Sequence, residues 1–370
     1  MKKLKWTDYN FNLLNALINK YRNSGEIAVF DFDNTVICRD IGETTIGQMI
    51  IDGSLTRESI MRFKPIEFLY DGSIVSYSPE SSLLTYYEKF LLATKHQAHD
   101  ENYYENAYAF MVKILAGMTP LDIKNATIKT FSNEIAIADY ENERSETTLN
   151  SQEGSPFYRL PFFYPEMVDL IGNLLVNGLQ VFIVSASNVW AIRTMVSILN
   201  QKLKIEFGQE IPLKNVIGSS MLLHDEKKQL YKDYPLCLSN EKYEKLEDSV
   251  LQCYRLTNEV SNPISTYYGK IAAIFKYIGK IPVLAAGDSI NDLPMLAYAK
   301  HALFISRLEN PEYLHMLDAM AKHYFIIQPT LYQRSAGFVT NIDEVSQRLS
   351  SITPEIAESI SLLQQFNLCR

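Results

Sequence analysis

Five short, unbroken apolar runs constrain the fold of this chain more than any other feature. They are Ile27-Ala28-Val29-Phe30, Val181-Phe182-Ile183-Val184, Ile281-Pro282-Val283-Leu284-Ala285, Ala302-Leu303-Phe304-Ile305 and Tyr324-Phe325-Ile326-Ile327. A strand with one wet face alternates apolar and polar residues, whereas a strand covered on both faces reads as a continuous run. Helical signatures lie between the runs. One opens at Pro165 and closes at Gly178, and others span Val189 to Leu203, Lys270 to Tyr277 and Asp292 to Tyr298. An amphipathic stretch from Trp6 to Tyr21, with Leu13, Leu14, Leu17 and Ile18 at helical spacing, precedes the first run. This alternation predicts an α/β fold built on a doubly wound, Rossmann-like parallel sheet.

The region from Glu43 to Gln152 breaks that rhythm, because it reads as helix upon helix: Leu83 to Leu92, Tyr103 to Leu115 and Thr119 to Phe131. The last has a clear start, with Thr119 as N-cap, Pro120 at the first position and Asp122 in the first turn, just after Gly117. We therefore expect a core formed by residues 1–42 and 158–370, with residues 43–157 inserted as a helical cap. The polar stretch from Glu141 to Gly154 reads as the exposed loop or hinge leading back to the core.

Composition excludes several classes of function. Of 370 residues, 47% are hydrophobic and the net charge is −8, so the chain is globular and carries no field that would draw it to nucleic acid. The positive start is followed by Thr7, Asp8, Asn10 and Asn12 rather than an apolar segment, and no stretch approaches the roughly 20 apolar residues of a membrane span. The expectation is a cytoplasmic protein without membrane insertion. Cys38, Cys237, Cys253 and Cys369 form no CxxC pair, and the six histidines show no HxH or HExxH spacing. Reduced thiols and no transition-metal site follow.

Chemistry concentrates behind the runs. Asp31-Phe32-Asp33-Asn34-Thr35 follows the first one directly. Carboxylates at i and i+2 leave a strand on the same side, and the carboxyl end of a parallel strand opens into the crevice where such sheets bind ligands. Two like charges so close need a cation, or a proton on one of them. Gly287-Asp288-Ser289-Ile290-Asn291-Asp292 stands behind a later run, where Asp288 and Asp292 supply hard oxygen ligands suited to magnesium. Taken singly, each has a bland alternative: a solvated acidic turn for the first, and a helix N-cap with first-turn acids for the second.

Two weaker signals complete the set. Ser185-Ala186-Ser187 follows the run ending at Val184, where a hydroxyl and the amides of a helix start could hold phosphate oxygens, or where a serine could simply cap the helix. Lys270 follows Gly269 at a helix start, where the dipole disfavours a cation unless an anion sits nearby; alone it would read as a surface lysine.

In this order, Asp-x-Asp-x-Thr, Ser, Lys and Gly-Asp-x-x-x-Asp resemble the haloacid dehalogenase superfamily, over about Ile27 to Asp40 and Pro161 to Pro329. The cap position resembles the phosphoserine-phosphatase-like branch. FDFDNTVICRDIGE, ILAGMTPLDI, YPEMVDLIGNLLVNGLQVFIVSAS and AAGDSINDLPML resemble the phosphorylcholine phosphatase group. The resemblance implies a Mg2+-dependent phosphatase in which Asp31 attacks phosphorus and Asp33 protonates the leaving oxygen. It implies a metal held by Asp31, the backbone carbonyl of Asp33, Asp288 and Asp292, with Thr35, Ser185, Ala186 and Lys270 at the phosphoryl group and Thr35 also bracing the loop.

Substrate choice is expected to lie in the cap. The partner is a small phosphomonoester such as phosphorylcholine or phosphoserine, with a phosphoprotein as the alternative. Tyr86, Tyr87, Tyr103, Tyr104 and Tyr108 could form an aromatic cage for a quaternary ammonium, although ordinary core packing is the stronger reading. A catalytically silent interaction module is the non-enzymatic alternative, and the intact motifs argue against it.

Overall fold

Alternate residues of the first apolar run go to opposite sides of a central sheet, which explains why the run has no polar member. In the computed structural model, which describes residues 1–61, 67–70, 73–76, 82–96, 101–131, 161–319, 325–332 and 336–365, Ala28 and Phe30 join one buried cluster with Leu14, Met167 and Leu174. Ile27 and Val29 join another with Ile274, Leu296 and Phe304. Burying side chains of the size of Val29 and Phe30 contributes about 1.5–3 kcal/mol each.

Among the described residues the sheet has nine strands. They are β1 (Ile27–Phe30), β2 (Gln180–Asn188), β3 (Val216–His224), β4 (Leu230–Tyr231), β5 (Arg255–Ser261), β6 (Leu284–Gly287), β7 (His301–Arg307), β8 (Phe325–Leu331) and β9 (Gly337–Phe338). The order is β9-β8-β7-β6-β1-β2-β3-β4, with β5 also paired to β3. Pairing is parallel from β8 through β6, β1 and β2 to β3. The edges β9, β4 and β5 are antiparallel. Thus β1 lies centrally, with β2 on one side and β6 on the other, and its carboxyl end is flanked by the ends of both.

Helix α1 (Asp8–Lys20) starts where Thr7 accepts a hydrogen bond from the Asn10 N–H. Between β1 and β2 come α2 (Ile41–Ile51), α3 (Leu83–His96), α4 (Glu101–Lys113) and α5 (Pro120–Phe131). The cap of α5 is the one expected: Asp122 N–H donates to Thr119 Oγ1 at 3.1 Å, and Thr119 N–H donates to Asp122 Oδ2 at 2.8 Å. The region is not purely helical, however. A short hairpin pairs Phe68–Tyr70 with Ser73–Val75, and Phe68 packs on Tyr86 and Phe90 with centroids 5.5 and 5.7 Å apart. Tyr86 and Tyr87 are core residues, and the Tyr87 hydroxyl donates to the Glu43 carbonyl at 3.2 Å. Packing therefore accounts for two of the five cage tyrosines. Tyr108 is half-buried against two clusters, one that joins Phe90 and Phe110 to Trp190 and Met221, and one on the sheet that includes Phe304. The side chains of Tyr103 and Tyr104, and the stretch Glu141 to Gly154, lie outside the described residues.

Two more elements flank the site: α6 (Pro165–Val176), which opens at Pro165 as expected, and α7 (Val189–Phe207). The third expected strand is displaced. Pro282 carries no N–H and Ile281 is half exposed, so β6 runs from Leu284 to Gly287. No helix among the described residues is long and apolar enough to cross a membrane.

Candidate active site

At the carboxyl end of β1 the ladder continues one residue further, with the Asp31 N–H donating to the Ala286 carbonyl at 2.9 Å. The chain then turns through Asn34 at φ 57°, held by Val36 and Ile37 N–H donations to the Phe32 carbonyl. Asp31 and Asp33 both become buried, with 6% and 7% of their surface exposed.

Their surroundings differ. Lys270, from α8 (Tyr268–Ala273), is fully buried and donates to Asp31 Oδ1 at 2.7 Å and Asp292 Oδ1 at 2.5 Å. It is not a surface residue. The loop before α8 is clamped to both neighbouring motifs. Ser265 Oγ donates to the Ser185 carbonyl at 2.5 Å, and Asn291 Oδ1 accepts from Thr266 Oγ1 and the Tyr267 N–H. A Cβ at Gly269 would overlap the Ile264 carbonyl oxygen, so only glycine permits this entry into the helix.

The loop behind β6 leads into α9 (Leu293–Tyr298). There Asp292 Oδ2 accepts from the N–H groups of Asp288 and Ser289 and from Ser289 Oγ, all at 3.1 Å. The capping alternative is thus realised by one oxygen of Asp292, while the other faces Lys270. Asp288 Oδ2 lies 3.0 Å from Arg307 Nη2, within ion-pair reach but outside hydrogen-bonding geometry. Carboxylate oxygens of Asp31, Asp288 and Asp292 all lie within 4.8 Å of one another. The Asp33 carboxylate is not in that cluster. Its Oδ1 accepts from the Ile41 N–H at 2.8 Å, and its Oδ2 from Ser187 Oγ at 2.7 Å and Ser185 Oγ at 3.4 Å.

Ser185 lies within β2 rather than at a helix start. The strand runs on to Asn188, and it is Asn188 that caps α7, accepting from the Ala191 N–H at 2.9 Å. The capping alternative for Ser185 is thereby removed, and its hydroxyl and the Ala186 backbone stand at the strand's carboxyl end. Thr35 is fully buried, and its hydroxyl has no hydrogen-bond partner among the described residues.

Electrostatics follow from this crowding. Burial, then Asp292, pushes the Asp31 carboxyl well above the usual range, against the pull of Lys270. Burial pushes Asp288 up to about 7 although Arg307 opposes it, and raises Asp33 to about 6 against the hydrogen bonds from Ser187 and Ile41. Burial disfavours the charge on Lys270, but Asp292 and Asp31 outweigh it and keep the ammonium protonated well above neutrality. Four carboxylates here face two fixed cations, Lys270 and Arg307, and a divalent cation would make up the difference. The donors are all hard oxygens, which fits magnesium.

Sequence reasoning missed Ser187, Asn291 and Arg307. Arg307 ends β7, whose apolar run was visible, so the rule that sheets bind ligands at strand carboxyl ends could have found it. Ser187 and Asn291 stood inside motifs already noted, but nothing in the sequence indicated their contacts.

The chain places Asp31 at the end of a central β1 and the other motifs behind its neighbours, the arrangement implied by its resemblance to the haloacid dehalogenase superfamily. It is similar to the phosphorylcholine phosphatase of Pseudomonas aeruginosa, with 24% identity over 350 residues, spanning 92% of this chain and 89% of that one. A solved structure of a conserved protein of unknown function from Anaerococcus prevotii aligns with a TM-score of 0.58 at 18% identity, over 92% of this chain and 97% of that one. No protein-family model matches the chain.

Proposed function

We propose that this chain is a Mg2+-dependent phosphatase that hydrolyses a small phosphomonoester through an aspartyl phosphate on Asp31, with phosphorylcholine as the first substrate to test. The observation that carries this reading is Lys270, fully buried yet bridging Asp31 and Asp292 beside Asp288. Such a charge is expensive to bury and is retained where anionic chemistry needs it. The name of the Pseudomonas relative supports the substrate.

Asp31 Oδ would attack phosphorus in line, forming the P–O bond as the ester P–O bond breaks. Asp33, raised to about 6, would give its proton to the departing alkoxide and leave the alcohol neutral. Asp33 as a carboxylate would then take a proton from water as that water attacks phosphorus, releasing inorganic phosphate and restoring Asp31. Lys270 would offset charge on Asp31 and on the phosphoryl oxygens, while Ser185 Oγ and the Ala186 N–H would donate to those oxygens. Asp31, the Asp33 carbonyl, Asp288 and Asp292 would hold magnesium, which when bound screens the phosphoryl oxygens and lets Asp31 ionise. Helices α2 to α5 and the hairpin would act as the cap that chooses the leaving group.

The test is phosphate release from phosphorylcholine, phosphoethanolamine, phosphoserine and phosphotyrosine peptides with and without Mg2+. Phosphorylcholine should turn over fastest. Equal turnover of the first two would remove choline recognition, and no release from any ester would remove the phosphatase.

A further inference from the structure

The Asp33 carboxylate is gripped from two sides. On one side the first N–H of α2, that of Ile41, reaches Oδ1 at 2.8 Å; on the other Ser187 Oγ reaches Oδ2 at 2.7 Å. Ser187 can do this because residues two apart on a strand point to the same side, which puts it beside Ser185 at the carboxyl end of β2. Ser185 and Ser187, two residues apart, consequently both face Asp33, and the Ser187 N–H donates to Ser185 Oγ at 3.1 Å. Two glycines let the serine sit so close. A Cβ at Gly42 would lie 2.6 Å from Ser187 Oγ and 3.0 Å from its Cβ, and a Cβ at Gly218 would lie 2.8 Å from the Ser187 carbonyl oxygen.

We infer that Ser187 is a positioning residue: its hydroxyl fixes the rotation of the Asp33 carboxyl, so that the proton of the acid form is aimed at the leaving oxygen. This rests on the proposed phosphatase reading. The hydrogen bond also stabilises the carboxylate left once the proton has moved, so its loss is felt where proton donation matters and little elsewhere. An alkyl phosphate releases a strongly basic alkoxide and needs the acid, whereas p-nitrophenyl phosphate releases a stable phenolate and does not.

The experiment compares kcat/KM on phosphorylcholine or phosphoserine with that on p-nitrophenyl phosphate. Ser187→Ala should lose about tenfold or more on the alkyl ester and less than about threefold on the aryl ester. Because the alanine variant could pack differently, Ser187→Thr and Ser187→Val form a second, isosteric pair: threonine keeps the hydroxyl and should retain the alkyl-ester activity that valine loses. Equal losses on both esters, no loss on either, or identical threonine and valine variants would each overturn the role of Ser187. Wild-type protein that releases phosphate from neither ester would instead overturn the phosphatase reading itself.

Discussion

Replacing Lys270 by methionine tests how the site holds its charges. The lysine is fully buried and touches two carboxylates at 2.7 and 2.5 Å, with no solvent to screen either contact. Methionine fills similar volume without charge, so the change removes one partner and leaves Asp31 and Asp292 facing each other beside Asp288. Breaking a buried ion pair from one side costs about 3–5 kcal/mol. The lower end applies here, because the stranded carboxylates can take up protons and so limit the penalty. The sign with pH is fixed by Lys270, whose folded-state pKa is raised by Asp292 and Asp31 over the opposing effect of burial. Its contribution is therefore fully present below the ordinary lysine value of about 10.4 and is lost as pH rises through the folded-state value. At pH 7 in metal-free buffer, Lys270→Met should lower unfolding stability by about 3 kcal/mol in urea. The chain's two tryptophans, Trp6 and Trp190, are buried and report the transition by fluorescence. A loss below about 1 kcal/mol, the range of an ordinary exposed ion pair, would refute the view that Lys270 neutralises this cluster.

Other outcomes follow from the same geometry. Gly269→Ala must displace the entry to α8, and a shift of about 1 Å at Lys270 should cost on the order of 100-fold in kcat/KM, read by steady-state kinetics. Magnesium at a hundred times its Kd should stabilise the wild type by about 2.7 kcal/mol in the same unfolding assay, and Asp288→Asn should lose most of that gain. Asp33, at about 6, is the acid form below that pH and loses its proton above it. On an alkyl phosphate kcat/KM should therefore fall toward tenfold per unit above about pH 6, a limb that Asp33→Asn removes and that p-nitrophenyl phosphate does not show.

The parallel centre of the sheet was legible because burial on both faces leaves an unbroken apolar run inside each strand, Ile27 to Phe30 in β1, Val181 to Val184 in β2 and Ala302 to Ile305 in β7. The antiparallel flank was not. β3 alternates buried and half-buried positions from Gly218 to His224, with Ser219 and Ser220 inside it, so it shows no apolar run. The hairpin of Phe68–Tyr70 and Ser73–Val75 escaped for a related reason, since strands of three residues are too short to show a period. In the site, Asp31, Asp33, Asp288 and Asp292 stood out because paired acids behind buried strands are costly without a purpose. Lys270 needed its helix start as a hint, and its full burial is set by Asp31 and Asp292, which lie 239 and 22 residues away in sequence. Ser187 lay inside a noted motif and Arg307 at the end of a visible strand, but neither showed its partner, because those contacts are created only by the fold.

In the proposed reaction, phosphorus passes through Asp31. This is tested most directly by acid-quenching the enzyme during turnover of a substrate labelled in its phosphoryl group, followed by peptide mapping. One acid-stable, hydroxylamine-labile phosphoryl group is expected on the peptide carrying Asp31, absent from Asp31→Asn and accumulating in Asp33→Asn when an aryl ester is used. Label on any other residue, or turnover that persists in Asp31→Asn, would contradict it.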